Sequence, residues 1–171
     1  MERVQAILSH PDFGVYLKLN EQHEKNREFC CHQWQHALDV ARIYYILYLE
    51  KSRDRILSGF EDMTMDHAKE LIYATALLHD IGRWKQYLDP ALDHAEEGAV
   101  LAKPILEDVG FKAHEIELVL GAIRAHRNPC AKGIGGLLFR ADKLSRNCKN
   151  CGARSKCNRL ANMETKEKLL Y

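Results

Sequence analysis

The stretch LIYATALLHDIGR, residues 71–83, decides how this chain is to be read. From Leu71 to Leu78 it is apolar on nearly every face of a 3.6-residue turn, so it predicts a helix through the centre of a domain. Two polar groups follow at its end, His79 and Asp80, and then Ile81-Gly82, a helix stop. A carboxylate carried into apolar surroundings takes up a proton unless a cation or a hydrogen-bonding partner compensates it. A divalent cation satisfies both residues. The plain alternative is that His79 caps carbonyls at the helix end and Asp80 caps the next turn.

Working outward, the same three- and four-residue apolar spacing recurs on both sides of this segment. Trp34 to Glu50 reads as a long helix, and the central one begins near Met65 with Thr64 or Asp66 as its N-cap. Asp93 and Glu96 stand at cap spacing before a helix that contains Pro104, a possible kink, and stops at Gly110. Further helices are expected over about Ala113–Arg127, ending before Asn128-Pro129, and over about Leu137–Arg146, after a flexible stretch at Gly133–Gly136. No strand-type alternation is sustained. The expected fold is all-α: a single-domain helical bundle over residues 1–146 with a small cysteine-bearing appendage of the same domain at 147–171.

Composition agrees. The chain has 171 residues, 46% hydrophobic and 29% charged, enough to bury one core and far from the apolar-poor composition of disorder. Its net charge of +1 gives no whole-molecule field for nucleic acid, so any anion affinity must be local. No apolar run approaches the about 20 residues of a membrane span. Charges interleave the first 30 residues and leave no signal-peptide core, which makes the cytoplasm the expected compartment. No oligomeric state is implied.

Four more residues change the meaning of the dyad. His36 precedes Ala37, Leu38, Val40 and Ala41; Asp142 follows Leu137, Leu138, Phe139 and Ala141; both are expected on inward faces. His94 opens one helix and His126 closes another. Side chains on facing helices can thus converge on one metal without being close in sequence. His32 lies one turn before His36 but in a polar stretch, so His36 is the better first ligand. His10, His23, His67 and His114 have charged or polar neighbours and are expected to be exposed. Asp93 is an N-cap or a carboxylate orienting His94. Asp62, Asp66 and Asp89 offer no comparable context.

The ordered set His36, His79-Asp80, His94, His126 and Asp142, in the strings HALDVA, ALLHDIGR, AIRAH and RADKLSR, resembles the HD-domain superfamily of metal-dependent phosphohydrolases over about residues 32–146. The resemblance implies that His36, His79, Asp80 and Asp142 bind one divalent ion. It further implies a second ion at His94 and His126, with Asp80 bridging and acting in catalysis. Imidazole and carboxylate ligands suit Mn, Fe, Co, Ni or Zn. The expected substrate is a small phosphorylated molecule such as a nucleotide, cleaved as a phosphomonoester or phosphodiester. The same ligands would serve a di-iron oxygenase, and a non-catalytic nucleotide, metal or redox sensor is a third reading.

Substrate phosphate needs counter-charge. Arg83, Arg127 and Lys143 are the candidates, with Arg83 on the turn after the dyad the first choice because a guanidinium binds phosphate oxygens in bidentate fashion. Arg124, Arg140 and Arg146 also lie near proposed ligands. In the appendage, Cys148, Cys151 and Cys157 have the spacing of a structural zinc or iron–sulfur site that lacks one ligand. Cys130, in the loop after His126, is the expected fourth, with Cys30 or Cys31 as alternatives.

Overall fold

A computed structural model of the chain describes residues 1–52, 60 and 63–171, so Asp62 lies outside the described residues. Among these there is no strand. The α-helices are α1 (Glu2–Ser9), α2 (Pro11–Glu24), α3 (Trp34–Ser52), α4 (Met65–Leu78), α5 (Arg83–Leu88), α6 (His94–Asp108), α7 (Ala113–Ala125) and α8 (Gly133–Leu144). Four three-residue 3-10 turns follow between Cys148 and Lys166. No helix among the described residues is long and apolar enough to cross a membrane.

α4 is the axis. Thr64 caps it by accepting from the His67 N–H at 3.3 Å, and Leu71, Ile72, Ala74, Ala76 and Leu78 are each at most 1% exposed. Burying a side chain the size of leucine in this way contributes about 1.5–3 kcal/mol. α3 packs on α4 and α8, and α7 packs on α4, α6 and α8, so α3, α4, α7 and α8 close a four-helix circuit. Tyr44 on α3 ties the circuit by donating to the Ile134 carbonyl of α8 at 3.0 Å. α1 packs on α4, while α2 and α6 both bear on α5.

Helix ends follow local chemistry. Asp93 caps α6 by accepting from the Ala95 N–H at 2.9 Å. At the far end Gly110 adopts φ +83°, and the Phe111 N–H returns to the Leu106 carbonyl at 3.0 Å, a Schellman closure. The helix continues through Pro104. Pro104 and Val100, between which the helical bond is missing, are both exposed, which leaves that carbonyl to water. Gly133–Gly136 departs from the expected flexible loop: it forms the first turn of α8. The reason is close packing, since a Cβ on Gly135 would stand 2.7 Å from the Ala125 Cβ of α7.

One glycine contact places the dyad. A Cβ on Gly82 would lie 2.4 Å from the Gly98 nitrogen, and one on Gly98 would lie 3.1 Å from the His79 carbonyl oxygen. The turn after α4 therefore lies directly on the backbone of α6, closer than any residue with a side chain allows. Asn20 of α2, fully buried, pins the same turn: its Nδ2 donates to the Asp80 carbonyl at 2.9 Å and its Oδ1 accepts from the Trp84 N–H at 2.8 Å.

Candidate metal centre

Five elements deliver side chains to one point. His79 and Asp80 leave the end of α4, His36 comes from the first turn of α3, His94 opens α6, His126 follows α7 as its C-cap, and Asp142 projects from α8. All are buried, with exposures from 0% at His79 to 9% at His36. Asp80 is at the centre. Its Oδ2 lies 3.1 Å from His79 Nε2 and 3.7 Å from His36 Nε2, and its Oδ1 lies 3.3 Å from His94 Nε2 and 3.6 Å from His126 Nε2. His36 Nε2 is in turn 3.2 Å from Asp142 Oδ1. Two groups of donor atoms meet within 4.8 Å: His36, His79, Asp80 and Asp142, and Asp80, His94 and His126.

The ring orientations are fixed from behind. His79 Nδ1 is 2.6 Å from the Ala76 carbonyl and His126 Nδ1 is 2.6 Å from the Ile123 carbonyl. A carbonyl only accepts, so each Nδ1 carries a proton and each Nε2 is left to face the cluster. His36 Nδ1 donates to Ser145 Oγ at 3.1 Å, because that hydroxyl already donates to the Asp142 carbonyl at 2.7 Å. Gln86 Oε1 accepts from His94 Nδ1 at 2.7 Å. Such outer hydrogen bonds are what select the tautomer and aim of a metal-binding imidazole. His79 does bond a helix-end carbonyl, as the plain alternative supposed, but its other nitrogen remains buried with no hydrogen-bond partner.

Electrostatics point the same way. Both carboxylates are held well below their usual pKa although burial opposes it: Asp80 by His79, His32 and hydrogen bonds from His126 and His36, and Asp142 by Arg146, His36 and Lys143. His79 is raised despite its burial because Asp80 favours the imidazolium. A bound cation replaces such a proton. Asp142 has basic side chains on it, Lys143 Nζ at 2.5 Å and Arg146 Nη2 at 2.9 Å. Asp80 has none: among the described residues its ion-pair partners are five imidazoles. An orphaned buried Nε2 beside a carboxylate ringed by imidazoles fits a divalent ion.

His32 is the fifth imidazole, ranked behind His36 as a first ligand on its polar surroundings. Buried ahead of α3, it lies with Nε2 3.8 Å from Asp80 Oδ2, while its Nδ1 and backbone N–H both bond Glu24, which also accepts from the Tyr87 hydroxyl at 2.5 Å. Burial pushes its pKa down to about 4 against the pull of Asp80 and Glu24, so it is neutral at pH 7. No periodicity signals a histidine outside a helix. Arg146 is the other residue drawn in, its Nη2 also 3.1 Å from His36 Nε2.

The other candidates divide. A cavity of about 510 Å³ opens over the cluster, and Arg83, Arg127 and Lys143 all line it. Arg83 is held by Tyr87 and Gln86 at 3.2 and 3.3 Å, with Nη1 2.9 Å from His94 Nδ1. Arg127 pairs with Asp93, whose carboxylate caps α6 and does not orient His94. Arg124 and Arg140 pair with the exposed Glu96 and Glu164. Of the histidines expected at the surface, His23 and His114 are exposed. His10 and His67 are partly covered, because each pairs with a carboxylate, Asp108 and Glu115 respectively.

The cysteines depart furthest from expectation. Cys148, Cys151 and Cys157 line the cavity over the cluster, but Cys130 is exposed and does not join them. The Asn128-Pro129 turn directs that loop outward, with the Cys130 N–H bonded to Asn128 Oδ1 at 2.9 Å. The fourth cysteine on the cavity wall is Cys30.

Comparison with known proteins is consistent with this geometry. A family model described as HD domain matches residues 34–147. An uncharacterized protein of Clostridium beijerinckii (strain ATCC 51743 / NCIMB 8052) is 39% identical over 158 residues, 92% of each chain. A crystal structure described as a predicted HD superfamily hydrolase from an uncultured Thermotogales bacterium is 28% identical. It superposes with a TM-score of 0.52 over 78% of this chain and 68% of its own.

Proposed function

The chain belongs to the HD-domain family, and from that premise we propose that it is a metal-dependent phosphohydrolase acting on a phosphomonoester or phosphodiester of a nucleotide or other small phosphorylated metabolite. The observation that carries the reading is Asp80, a buried carboxylate surrounded by imidazoles with no lysine or arginine on it.

In this reading His36, His79, Asp80 and Asp142 hold one divalent ion, and Asp80, His94 and His126 hold a second. Bound divalent ions supply Lewis acidity toward a phosphoryl oxygen and bring the pKa of water toward neutrality. The chain's own residues do the rest. Arg83, braced by Tyr87 and Gln86, presents its guanidinium fork to phosphate oxygens at the cavity floor. Lys143 and Arg127 add charge elsewhere on the cavity lining. Glu24 holds the His32 ring through Nδ1 so that its Nε2 faces the reacting region. Water is the nucleophile, so no phosphoenzyme forms.

The test is hydrolysis of generic phosphate esters, then a nucleotide panel, with added Mn, Co or Ni, by the wild type, Asp80→Ala and Arg83→Ala. The reading expects loss of turnover in Asp80→Ala and a raised KM in Arg83→Ala. Equal activity of Asp80→Ala and wild type would sink it, and oxygen uptake by iron-loaded protein without ester hydrolysis would replace it with an oxygenase.

A further inference from the structure

The segment after α8 is thinly buried. Between Asn147 and Tyr171 the fully buried residues are Cys148, Ala153 and Thr165, Leu170 and Tyr171 pack partly buried against the core, and the regular structure is four single 3-10 turns. Small loop-rich segments of this kind are usually held further by a disulfide or a metal. No disulfide is present among the cysteines, all of which are free thiols.

The fold places four of these thiols on the lining of one cavity. Cys148, Cys151 and Cys157, spaced C-x2-C-x5-C, line the cavity beside Cys30 from the far end of the sequence. Cys31 does not share this position, because its Sγ turns back to the Phe29 carbonyl at 3.5 Å and it is absent from the cavity wall. From Asn147 to Met163 the segment carries Lys149, Arg154, Lys156 and Arg159 and no acidic residue.

We infer that Cys30, Cys148, Cys151 and Cys157 form a tetrathiolate metal site that fastens the C-terminal segment to the loop before α3 and so closes one wall of the cavity over the HD centre. The site is separate from the phosphohydrolase reading and does not rest on it. Among the described residues no group of three donors that includes a cysteine meets within 4.8 Å. A single zinc, with Zn–S about 2.3 Å, brings its sulfurs to about 3.8 Å. An iron–sulfur cluster, in which the thiolates bind different iron atoms, does not require that approach.

The experiment uses the full chain purified anaerobically without chelator, with metals and acid-labile sulfide counted per chain. Cys30→Ser and the double variant Cys151→Ser/Cys157→Ser are expected to lose this metal and keep the ions of the HD centre; Cys130→Ser keeps both. Iron with equimolar sulfide identifies a cluster and supports the assignment; zinc, which needs the sulfurs closer than they stand here, overturns it. Asp80→Ala empties the HD centre and leaves the thiolate metal, so failure of one site is distinguishable from failure of the other. Should the cysteine variants not fold, thiol labelling of the native wild type decides: two cysteines, Cys31 and Cys130, react before metal removal and all six after it. Trypsin provides an independent readout, cutting after Lys149, Arg154, Lys156 and Arg159 only once that metal is stripped. Unchanged metal content in the double variant, or six thiols equally reactive before and after stripping, overturns the inference.

Discussion

Asp142 and Arg146, one turn apart on and after α8, form a buried ion pair at 2.9 Å beside the histidine–aspartate cluster, with side-chain exposures of 6% and 12%. Breaking such a pair from one side leaves a buried charge without its partner, which is destabilising by about 3–5 kcal/mol. Asp142→Asn is therefore expected to lower the stability of chelator-treated protein by that order, and Asp142→Asn/Arg146→Met to recover most of it. Urea unfolding measures both. A single variant as stable as the wild type would show that Arg146 is not held by Asp142.

The close approach of Gly82 to α6 makes a second prediction. An alanine Cβ would sit 2.4 Å from the Gly98 nitrogen and 2.7 Å from the Glu97 carbonyl carbon, both backbone atoms that cannot swing aside. Overpacking of this kind is destabilising by about 1–3 kcal/mol. Gly82→Ala should lower Tm by about 2–4 °C for each kcal/mol. It should also weaken metal binding, since the turn that moves carries Asp80. Gly121, whose added Cβ meets nothing within 4 Å, is the control position.

Glu115 gives a pH dependence away from the metal centre. It is 1% exposed, and although burial opposes it, hydrogen bonds from Arg3, the Lys112 N–H and His67 bring its pKa down to about 2. A folded-state pKa below the unfolded one contributes stability that is present above the ordinary carboxylate pKa and is lost as pH falls from about 4.5 toward 2. The contribution is on the order of 2–3 kcal/mol at pH 7. Glu115→Gln should thus be less stable than wild type at pH 7, with the difference shrinking by pH 3. A pH-independent difference in thermal unfolding would contradict it.

Glu24 anchors His32 and Tyr87 without touching the proposed ligands. Glu24→Gln should keep the metal content of wild type while reducing turnover about 10–100-fold, the range for losing an orienting hydrogen bond near a metal site. Unaltered kcat would show that His32 is a packing residue.

What the sequence made legible follows from burial. His36, His79, Asp80, His94, His126 and Asp142 sit on or at the ends of apolar helices, so inward faces can be read from 3.6-residue periodicity, while the ligand set as a whole comes from the HD-domain resemblance. Asn20 and Glu24 occupy inward positions of α2, whose Pro11 start and charged composition give little apolar pattern. α5, six residues with none buried, has no core-facing stripe to find. Gly135 of α8 reads as loop because its function is close approach to α7, a tertiary effect. That Cys30 and not Cys130 lines the cavity follows from the direction of a turn, which spacing alone does not give.

The central claim is that Asp80 is shared by two metal sites, and the most direct measurement is site-resolved occupancy from anomalous scattering of crystals grown with Mn or Co. The account predicts two ions against Asp80 in wild type, loss of the ion at His94 and His126 alone in His126→Ala, and loss of both in Asp80→Ala. Full occupancy in Asp80→Ala, or two ions persisting in His126→Ala, would contradict it.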